Sequence, residues 1–291
     1  MTALEKLALG TAQFGLEYGI TNSRGRVPFE EIEEILDLCR REGIDTIDTA
    51  SAYGDSEQLL GFYMAKGGGG FKIITKYSVD GGASPAEAIS GSLAKLRLAN
   101  IYGFLIHNLD SFKRNPAIWD EILKQKMSGA TVKVGFSLYD PTDVDFLLER
   151  GVNFDLVQIP YSILDQRFAS TFQKLLEHGV EIHVRSIFLQ GLLLLQPDAL
   201  RDPFTRLGEK IKALRDLAKR LAVPVNYLCI AFAASDEHIS RVVIGVDGFT
   251  SWAKNVQVMK EYEGIDLEID KLLELREDDQ DLIIPTRWKK T

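Results

Sequence analysis

IDTIDTASAYGDSE (residues 44–57) ends an apolar run at Asp48 and places Tyr53 a few residues further on. Its first residues, Ile44–Ile47, have the character of a buried strand, and a helix-like segment follows. FKIITKYS (71–78) and YGFLIHNLD (102–110) repeat the arrangement and end near Lys76 and His107. A polar side chain at the end of a buried parallel strand lies on the carboxyl-terminal rim of the sheet, where such folds place their chemistry. These stretches therefore predict a parallel α/β fold with an enzyme site at that rim.

Strand-like and helix-like segments alternate along the whole chain. The strand candidates are Leu7–Leu9, Ile44–Ile47, Lys72–Thr75, Ile101–Ile106, Val132–Phe136, Leu156–Ile159, Val180–Val184 and Arg241–Ile244. The intervening segments have helical periodicity, as in PFEEIEEILDLCRREG (28–43), where Pro28 suits a first helical position and Gly43 a stop. Ser84 and Glu87 have the spacing of a capping box at the start of another helix.

Eight strand–helix units without a linker predict one domain over residues 1–291, of the α/β class, folded as a closed (β/α)8 TIM barrel. Two extra helices are expected in the C-terminal part, from Ser251 to Glu261 and from Ile265 to Arg276. A doubly wound open sheet is the alternative. It is disfavoured because no strand–GxGxxG–helix unit is present, and the Gly67–Gly70 run precedes a strand.

Composition excludes several classes of protein. The formal charge is −8 and the basic residues are dispersed, which argues against a nucleic-acid partner. The two cysteines, Cys39 and Cys229, fall inside helical patterns and are expected to be buried free thiols. The start MTALEKLALGTAQFG lacks a long apolar region, and no stretch of about 18 apolar residues follows. These features predict a cytoplasmic protein that does not bind a membrane.

Asp48, Tyr53, Lys76 and His107, called the tetrad below, make a coherent chemical set. Tyr53 is a candidate acid, but an ordinary phenol has a pKa of about 10, so a neighbour must favour its deprotonation. Lys76 would do so, Asp48 would keep the ammonium in place and charged, and His107 would bind a carbonyl oxygen. Each residue alone is better explained as packing, capping or solvated surface. Four such residues at matching strand ends favour a shared site.

The chain resembles the aldo-keto reductase family over nearly its whole length. LALGTAQFG resembles the family's first strand, IDTIDTASAYGDSE its motif D-T-A-x-x-Y-G-x-S-E, and TKYS and LIHNLD its lysine and histidine strands. The resemblance implies a carbonyl reductase in which the tetrad is catalytic. Hydride would pass from a reduced nicotinamide to a carbonyl carbon while Tyr53 protonates the oxygen, and no metal is needed.

The resemblance also implies a nicotinamide cofactor, NADPH in the first place and NADH as the alternative. Ser137 and Gln158 would bind the carboxamide. Arg185 takes a position where many relatives have an aromatic ring against the nicotinamide, and a guanidinium would stack there instead. Further cofactor contacts are expected from the last two strand ends, at Ser186, Phe188, Gln190, Gly191, Gly245, Asp247, Ser251, Lys254 and Asn255.

The substrate is expected to be a small aldehyde or ketone, and the protein a monomer. Candidate pocket walls are Phe14, Tyr18, Tyr77, Tyr139, Tyr161 and Trp288. Arg24 and Arg26, in the glycine-rich segment after the first strand, are candidates for meeting an anionic group. Two alternatives stay open: a nucleotide-binding regulatory barrel without turnover, and a Schiff base on Lys76.

Overall fold

The computed structural model describes residues 2–79 and 82–288. Its eight strands form one closed parallel barrel in chain order, with β8 paired to β1. The strands are β1 Leu7–Gly10, β2 Thr46–Asp48, β3 Lys72–Tyr77, β4 Ile101–Ile106, β5 Thr131–Ser137, β6 Leu156–Pro160, β7 Glu181–Arg185 and β8 Ile239–Gly245. The barrel confirms the (β/α)8 prediction and excludes the open sheet.

Helices surround the barrel and follow its strands. The α-helices are α1 Ala12–Gly15, α2 Phe29–Arg41, α3 Ser56–Ala65, α4 Pro85–Leu96, α5 Leu109–Arg114, α6 Ala117–Met127, α7 Thr142–Glu149, α8 Phe172–Glu177, α9 Gly208–Arg220, α10 Val225–Ser235, α11 Phe249–Glu261, α12 Ile269–Leu273 and α13 Gln280–Ile283. Short 3₁₀ turns include Ala169–Thr171, Leu192–Leu194, Pro197–Ala199, Phe204–Leu207 and Pro285–Arg287.

Local sequence explains where these helices begin and which face they bury. Helix α2 buries Ile32, Ile35, Leu36, Leu38 and Cys39 against the barrel. Helix α4 begins with the predicted capping box, in which Ser84 and Glu87 each accept from the other's backbone N–H. Most strand residues are apolar and buried, as expected of a parallel sheet covered by helices.

Several predicted strand ends differ from the structure by one or two residues, and some helix boundaries also differ. Pro28 has extended dihedral angles and precedes α2 instead of forming its first turn. Strand β2 begins at Thr46, two residues later than expected. The helix expected from Ile265 to Arg276 is shortened to α12, because Gly264 and Glu268 have positive φ values of 83° and 48° that interrupt a helix before Ile269.

Cys39 and Cys229 are buried and free, which confirms their prediction, and burial raises the pKa of each thiol to about 12.

Over residues 2–79 and 82–288, no individual helix is both long and apolar enough to span a bilayer. Only the bent pair Phe204–Arg220 and Val225–Ser235, at 93° to each other, meets the length and composition criteria when counted together.

Candidate active site

The tetrad side chains converge at the carboxyl-terminal end of the barrel. Lys76 Nζ lies 2.7 Å from both carboxylate oxygens of Asp48, 2.9 Å from the carbonyl of Thr49, and 3.5 Å from the hydroxyl of Tyr53. The imidazole of His107 faces the ring of Tyr53 edge-on, with centroids 6.0 Å apart. Asp48 and Lys76 are the last or penultimate residues of their strands, and both are almost completely buried. The structure thus brings together the four residues chosen from the sequence.

A contact across the barrel holds the carboxylate of Asp48. The side-chain amide of Gln158, on β6, donates to Asp48 Oδ1 over 2.7 Å. Strands β2 and β6 stand opposite each other in a ring of eight, so this bond spans the barrel interior. A carboxylate held by an ammonium and an amide is well satisfied in a buried position, and its orientation is constrained.

The remaining polar residues of the D-T-A-x-x-Y-G-x-S-E motif support the turn that carries Tyr53. Ser56 bonds to both Thr49 and Thr11 through their hydroxyls, over 3.0 and 2.8 Å. Thr11 in turn donates to the carbonyl of Asp48 over 2.9 Å. These buried hydroxyls connect β1, β2 and the start of α3. The motif therefore contains residues that hold the turn in place in addition to the candidate catalytic residues Asp48 and Tyr53.

Gly15 allows the turn bearing Tyr53 to approach α1. A Cβ at position 15 would lie 1.8 Å from the carbonyl oxygen of Tyr53 and 2.8 Å from the amide of Asp55. Backbone atoms cannot yield at such distances without a shift of the whole turn. Gly15 is therefore a positioning residue for Tyr53 that the sequence reasoning quoted but did not interpret.

Burial determines the protonation of Tyr53 and Lys76. Burial, followed by the charge of Asp48, raises the pKa of Tyr53 well above its ordinary value. Burial also lowers the pKa of Lys76, while Asp48 opposes that change. The expected net lowering of the Tyr53 pKa is therefore not found, because desolvation and the charge of Asp48 outweigh the opposing charge of Arg185. Tyr53 holds its proton at neutral pH.

His107 is neutral at physiological pH. Burial, then the charges of Lys76 and Arg185, lower the pKa of its imidazole to about 3. A neutral imidazole has one N–H donor and one acceptor nitrogen. His107 can therefore donate a hydrogen bond to a carbonyl oxygen without adding a charge to the site.

Two buried polar atoms beside the tetrad fit a carboxamide. Ser137, the last residue of β5, is in register with Gln158 in the middle of β6, and each is 1% exposed. Among the described residues, the Ser137 hydroxyl and Gln158 Oε1 have no hydrogen-bond partner. A hydroxyl donor beside an amide acceptor complements the oxygen and the NH2 group of a nicotinamide carboxamide. Buried polar atoms without partners are costly, which favours a ligand at this position.

Gln13 is a polar residue of this rim that the sequence reasoning missed. It is 9% exposed, and its Oε1 has no partner within residues 2–79 and 82–288. A Cβ at Gly245, at the end of β8, would lie 3.0 Å from that oxygen. Gly245 therefore leaves room for the Gln13 side chain, and its predicted role in cofactor binding stays a prediction.

The segment after β7 has an irregular backbone that is joined to the segment after β1. Ser186, Gln190 and Gly191 have φ values of 62°, 55° and 94°. Gln190 donates to the Tyr18 hydroxyl over 3.1 Å, and its carbonyl accepts from Thr21 over 3.3 Å. A Cβ at Gly191 would lie 2.0 Å from the Thr21 hydroxyl. Phe188 is partly buried and packs against the core.

The predicted adenosine end lies at the start of α11. The Ser251 hydroxyl donates to the carbonyl of Gly248 over 2.9 Å, and Lys254 is exposed. Asn255 is 7% exposed, and its Oδ1 accepts from the amide of Asn226 over 2.9 Å. The carbonyl of Asp247 accepts from Arg24 over 3.0 Å. Sequence reasoning had not assigned any of these partners.

A carboxylate from α2 occupies the N-terminus of α11. Glu31 Oε1 accepts from the backbone N–H of Phe249 over 2.7 Å. Arg24 donates to both oxygens of Glu31, over 3.1 and 2.9 Å, and this pairing lowers the pKa of Glu31. A Cβ at Gly248 would lie 1.9 Å from Arg24 Nη1, so the glycine makes room for the pair. The periodicity of α2 does not distinguish Glu31 from its acidic neighbours.

The candidate pocket walls divide into core and rim. Phe14, Tyr77 and Tyr161 are at most 3% exposed and belong to the hydrophobic core, so they do not line an open pocket. Tyr18 is 42% exposed at the rim. Tyr139 stacks under the guanidinium of Arg185, 4.3 Å from its ring centroid. Trp288 packs edge-on against Phe204, with centroids 4.8 Å apart.

Arg24 and Arg26, the candidates for meeting an anion, have partners within the protein. Arg24 is paired with Glu31 as described above, and Arg26 lies 3.1 Å from a carboxylate oxygen of Asp55.

In the described part of the chain, no group of three or more His, Cys, Asp or Glu side chains is arranged to hold a metal ion.

The fold and the site together define a parallel α/β barrel with a buried Asp–Lys pair, a protonated tyrosine and a neutral histidine at its carboxyl-terminal end. The sequence profile of the Aldo/keto reductase family matches residues 6–275. The chain belongs to the aldo-keto reductase family and is an oxidoreductase enzyme. Members of the family generally use nicotinamide cofactors, and their substrates are small carbonyl compounds.

Solved structures of the aldo-keto reductase AKR11C1 from Bacillus halodurans have the same fold. The holo form is 22% identical, covers 97% of this chain and 95% of its own, and has a TM-score of 0.76. The apo form is 23% identical, covers 94% of this chain and 95% of its own, and has a TM-score of 0.68. At these identities the likeness is one of fold alone. No curated protein matches the chain.

Proposed function

We propose that this enzyme reduces a small aldehyde or ketone to an alcohol with a reduced nicotinamide cofactor, and that the tetrad is catalytic. The observation that carries the proposal is the position of Lys76, between the carboxylate of Asp48 and the hydroxyl of Tyr53. A bound reduced nicotinamide would supply the hydride. The protein supplies the proton, the orientation of the carbonyl and the exclusion of water.

Tyr53 is the proposed proton donor. Its raised pKa means that the phenol is protonated at neutral pH and ready to give its proton to the developing alkoxide. The ammonium of Lys76 would stabilise the phenolate that results, and Asp48 and Gln158 keep the ammonium in place. The N–H of neutral His107 would bind the carbonyl oxygen beside Tyr53.

Ser137 and Gln158 support the proposed cofactor site because their unpartnered buried atoms fit a carboxamide. The choice between NADPH and NADH depends on the other end of the cofactor. The family resemblance favours NADPH, and the exposed Lys254 is a cation available to a phosphate. Glu31 favours NADH, because an ionised carboxylate at the N-terminus of α11 would repel a 2′-phosphate. Cytoplasmic location and a monomeric state remain predictions.

The test is a titration of the purified protein with NADPH and with NADH, followed by nicotinamide absorbance in the presence of a panel of aldehydes. We expect nucleotide binding and substrate-dependent oxidation. Binding without oxidation across a broad panel would favour the regulatory barrel. Borohydride trapping of a substrate adduct on Lys76 would favour the Schiff-base mechanism. If neither nucleotide binds, the proposed cofactor site is wrong.

A further inference from the structure

Arg185, the residue expected to stack against the nicotinamide, carries a charge that the proposed chemistry does not use. It is the last residue of β7, and its guanidinium donates to the carbonyl of Leu138 over 3.2 Å and to the Ser186 hydroxyl over 3.3 Å. Tyr139 supports the face of the guanidinium at 4.3 Å. The side chain therefore extends from β7 across the end of β6 to the segment after β5. It is held in place by these contacts and partly exposed at the carboxyl-terminal end of the barrel.

The charge of Arg185 reaches the reaction centre. It contributes to lowering the pKa of His107 and of Lys76, and it opposes the raised pKa of Tyr53. Within the tetrad, Asp48 and Lys76 neutralise each other, while Tyr53 and His107 are uncharged at neutral pH. Arg185 therefore leaves one positive charge beside the tetrad.

Three other arginines near this end of the barrel have carboxylate partners. Arg24 is paired with Glu31, Arg26 with Asp55, and Arg167 with Asp165. In residues 2–79 and 82–288, no ion pair includes Arg185. Its bonds to a carbonyl and a hydroxyl are to neutral acceptors. A partly buried cation without an anionic partner is unfavourable unless a ligand supplies the negative charge.

We propose that the carbonyl substrate of this barrel carries an anionic group, a carboxylate or a phosphate, and that Arg185 binds it. A planar guanidinium matches both groups with two parallel hydrogen bonds, and it lies close enough to influence the tetrad. The 2′-phosphate of NADPH is a less suitable partner, because the guanidinium points from β7 toward β5, away from α11. The cofactor pyrophosphate, whose expected contacts begin at Ser186, is the competing partner that the nucleotide dissociation constants test. This inference rests on the proposed reductase function.

The test compares matched substrates in the wild-type enzyme. Succinic semialdehyde is paired with butanal for the carboxylate, and glyceraldehyde 3-phosphate with glyceraldehyde for the phosphate. We expect kcat/KM to be about 10- to 100-fold higher for the charged member of at least one pair, the range for hydrogen bonds to charged groups. The pair that shows the preference identifies the anion.

Variants assign the preference to Arg185. Arg185→Gln should reduce the charged-to-neutral ratio of kcat/KM toward one, mainly through KM, and Arg185→Lys should retain part of it. Arg26→Gln is the matched control, since it removes a paired arginine from the same rim and should leave the ratio unchanged. Nucleotide dissociation constants, measured by fluorescence, show whether Arg185 serves the cofactor instead.

The outcomes separate this inference from the proposed function. Turnover of the neutral aldehydes with ratios near one would overturn the inference and leave the reductase function in place. An unchanged ratio with weaker nucleotide binding in Arg185→Gln would also overturn it. If no aldehyde is turned over, anion binding at Arg185 is tested directly. The nucleotide complex is titrated with succinate and with inorganic phosphate, and binding is followed by protein fluorescence. Binding of one anion that is lost in Arg185→Gln supports the inference, and binding of neither overturns it.

Discussion

At the scale of single residues, the site depends on how burial changes protonation. An ammonium 3.5 Å from a phenol would favour the phenolate in water, yet the pKa of Tyr53 is raised. Desolvation is the larger effect because the side chain is enclosed, and the charge of Asp48 adds to it. The result is a phenol that keeps its proton until negative charge develops on a substrate oxygen.

Tyr53→Phe should remove most of the reductase activity. We expect kcat to fall on the order of 10²–10⁴-fold, the usual contribution of a general acid, because the variant lacks the transferable proton. Steady-state kinetics measures the loss, and a nucleotide titration serves as the control, since the cofactor contacts lie on other strands. Activity close to that of the wild type would contradict the role of Tyr53.

The lowered pKa of His107 predicts a stability that depends on pH. The unfolded chain binds a proton on this residue near pH 6.5, whereas the folded protein does so only near pH 3. The contribution of His107 to stability is therefore complete above pH 6.5 and is lost as the pH falls from 6.5 toward 3. Between pH 7 and pH 4, His107→Gln should lose less stability than the wild type.

Thermal unfolding of both proteins across that pH range measures this difference. The carboxylates titrate in both proteins, so the comparison isolates the histidine. Parallel pH curves would mean that His107 is not desolvated in solution as it is in the structure.

At the scale of elements, close approaches between segments position the site. The turn carrying Tyr53 can lie against α1 only because residue 15 has no side chain. Gly15→Ala should therefore displace Tyr53 and reduce kcat by at least about 10-fold, with a smaller effect on stability than on activity. Gly91→Ala is the matched control. A Cβ at position 91 meets no heavy atom within 4 Å, and alanine is the better helix former. Equal activity in both variants would contradict the positioning role.

The contact between α2 and α11 predicts cofactor preference. Glu31→Gln removes the negative charge from the N-terminus of α11 while keeping an oxygen that can accept from Phe249. We expect the affinity for NADPH relative to NADH to rise by about 3- to 30-fold, because charges at helix termini contribute up to about 2 kcal/mol. Fluorescence titration with both nucleotides measures the ratio. Glu33→Gln, on the same helix but paired with Lys66, is the control. An unchanged ratio in Glu31→Gln would place the 2′-phosphate elsewhere.

At the scale of the whole molecule, the two ends of the barrel have different roles. The amino-terminal end has its own polar network, in which Glu181 accepts from Tyr102 and His183 over 2.8 and 2.7 Å and pairs with Lys133. His183 is completely buried. The network lies at the opposite end of the strands from the tetrad, where polar residues of such barrels serve stability.

Glu181→Ala should therefore destabilise the protein without altering its chemistry. Removing the carboxylate leaves the buried His183 and the partly exposed Lys133 without their partner, and we expect a loss of about 1–3 kcal/mol in the free energy of unfolding. Urea denaturation measures the loss, and kcat at a temperature where the variant is folded should be unchanged. A loss of kcat without a loss of stability would show that the two ends are coupled.

Local sequence determined the fold and indicated which four polar side chains meet at the carboxyl-terminal end of the barrel. Alternating apolar strands and amphipathic helices specify a parallel α/β barrel. A polar residue at the carboxyl end of a parallel strand lies at the carboxyl-terminal end of the barrel, whatever the position of that strand in the barrel. All eight predicted strands overlap observed strands. The larger differences lie at Pro28, which has an extended backbone, at the start of β2, and before α12, where Glu268 has a positive φ.

Only the tertiary structure decided the partners. Gln158 and Asp48 are 110 residues apart, and Glu31 and Phe249 are 218 apart, yet each pair is 2.7 Å apart in space. Periodicity records which face of an element is buried, but not which residue it meets there. It therefore could not distinguish Tyr77 and Tyr161, which are in the core, from Tyr139 at the rim. The pKa directions of Tyr53 and His107 likewise depend on enclosure by several strands, which exists only once the barrel has closed.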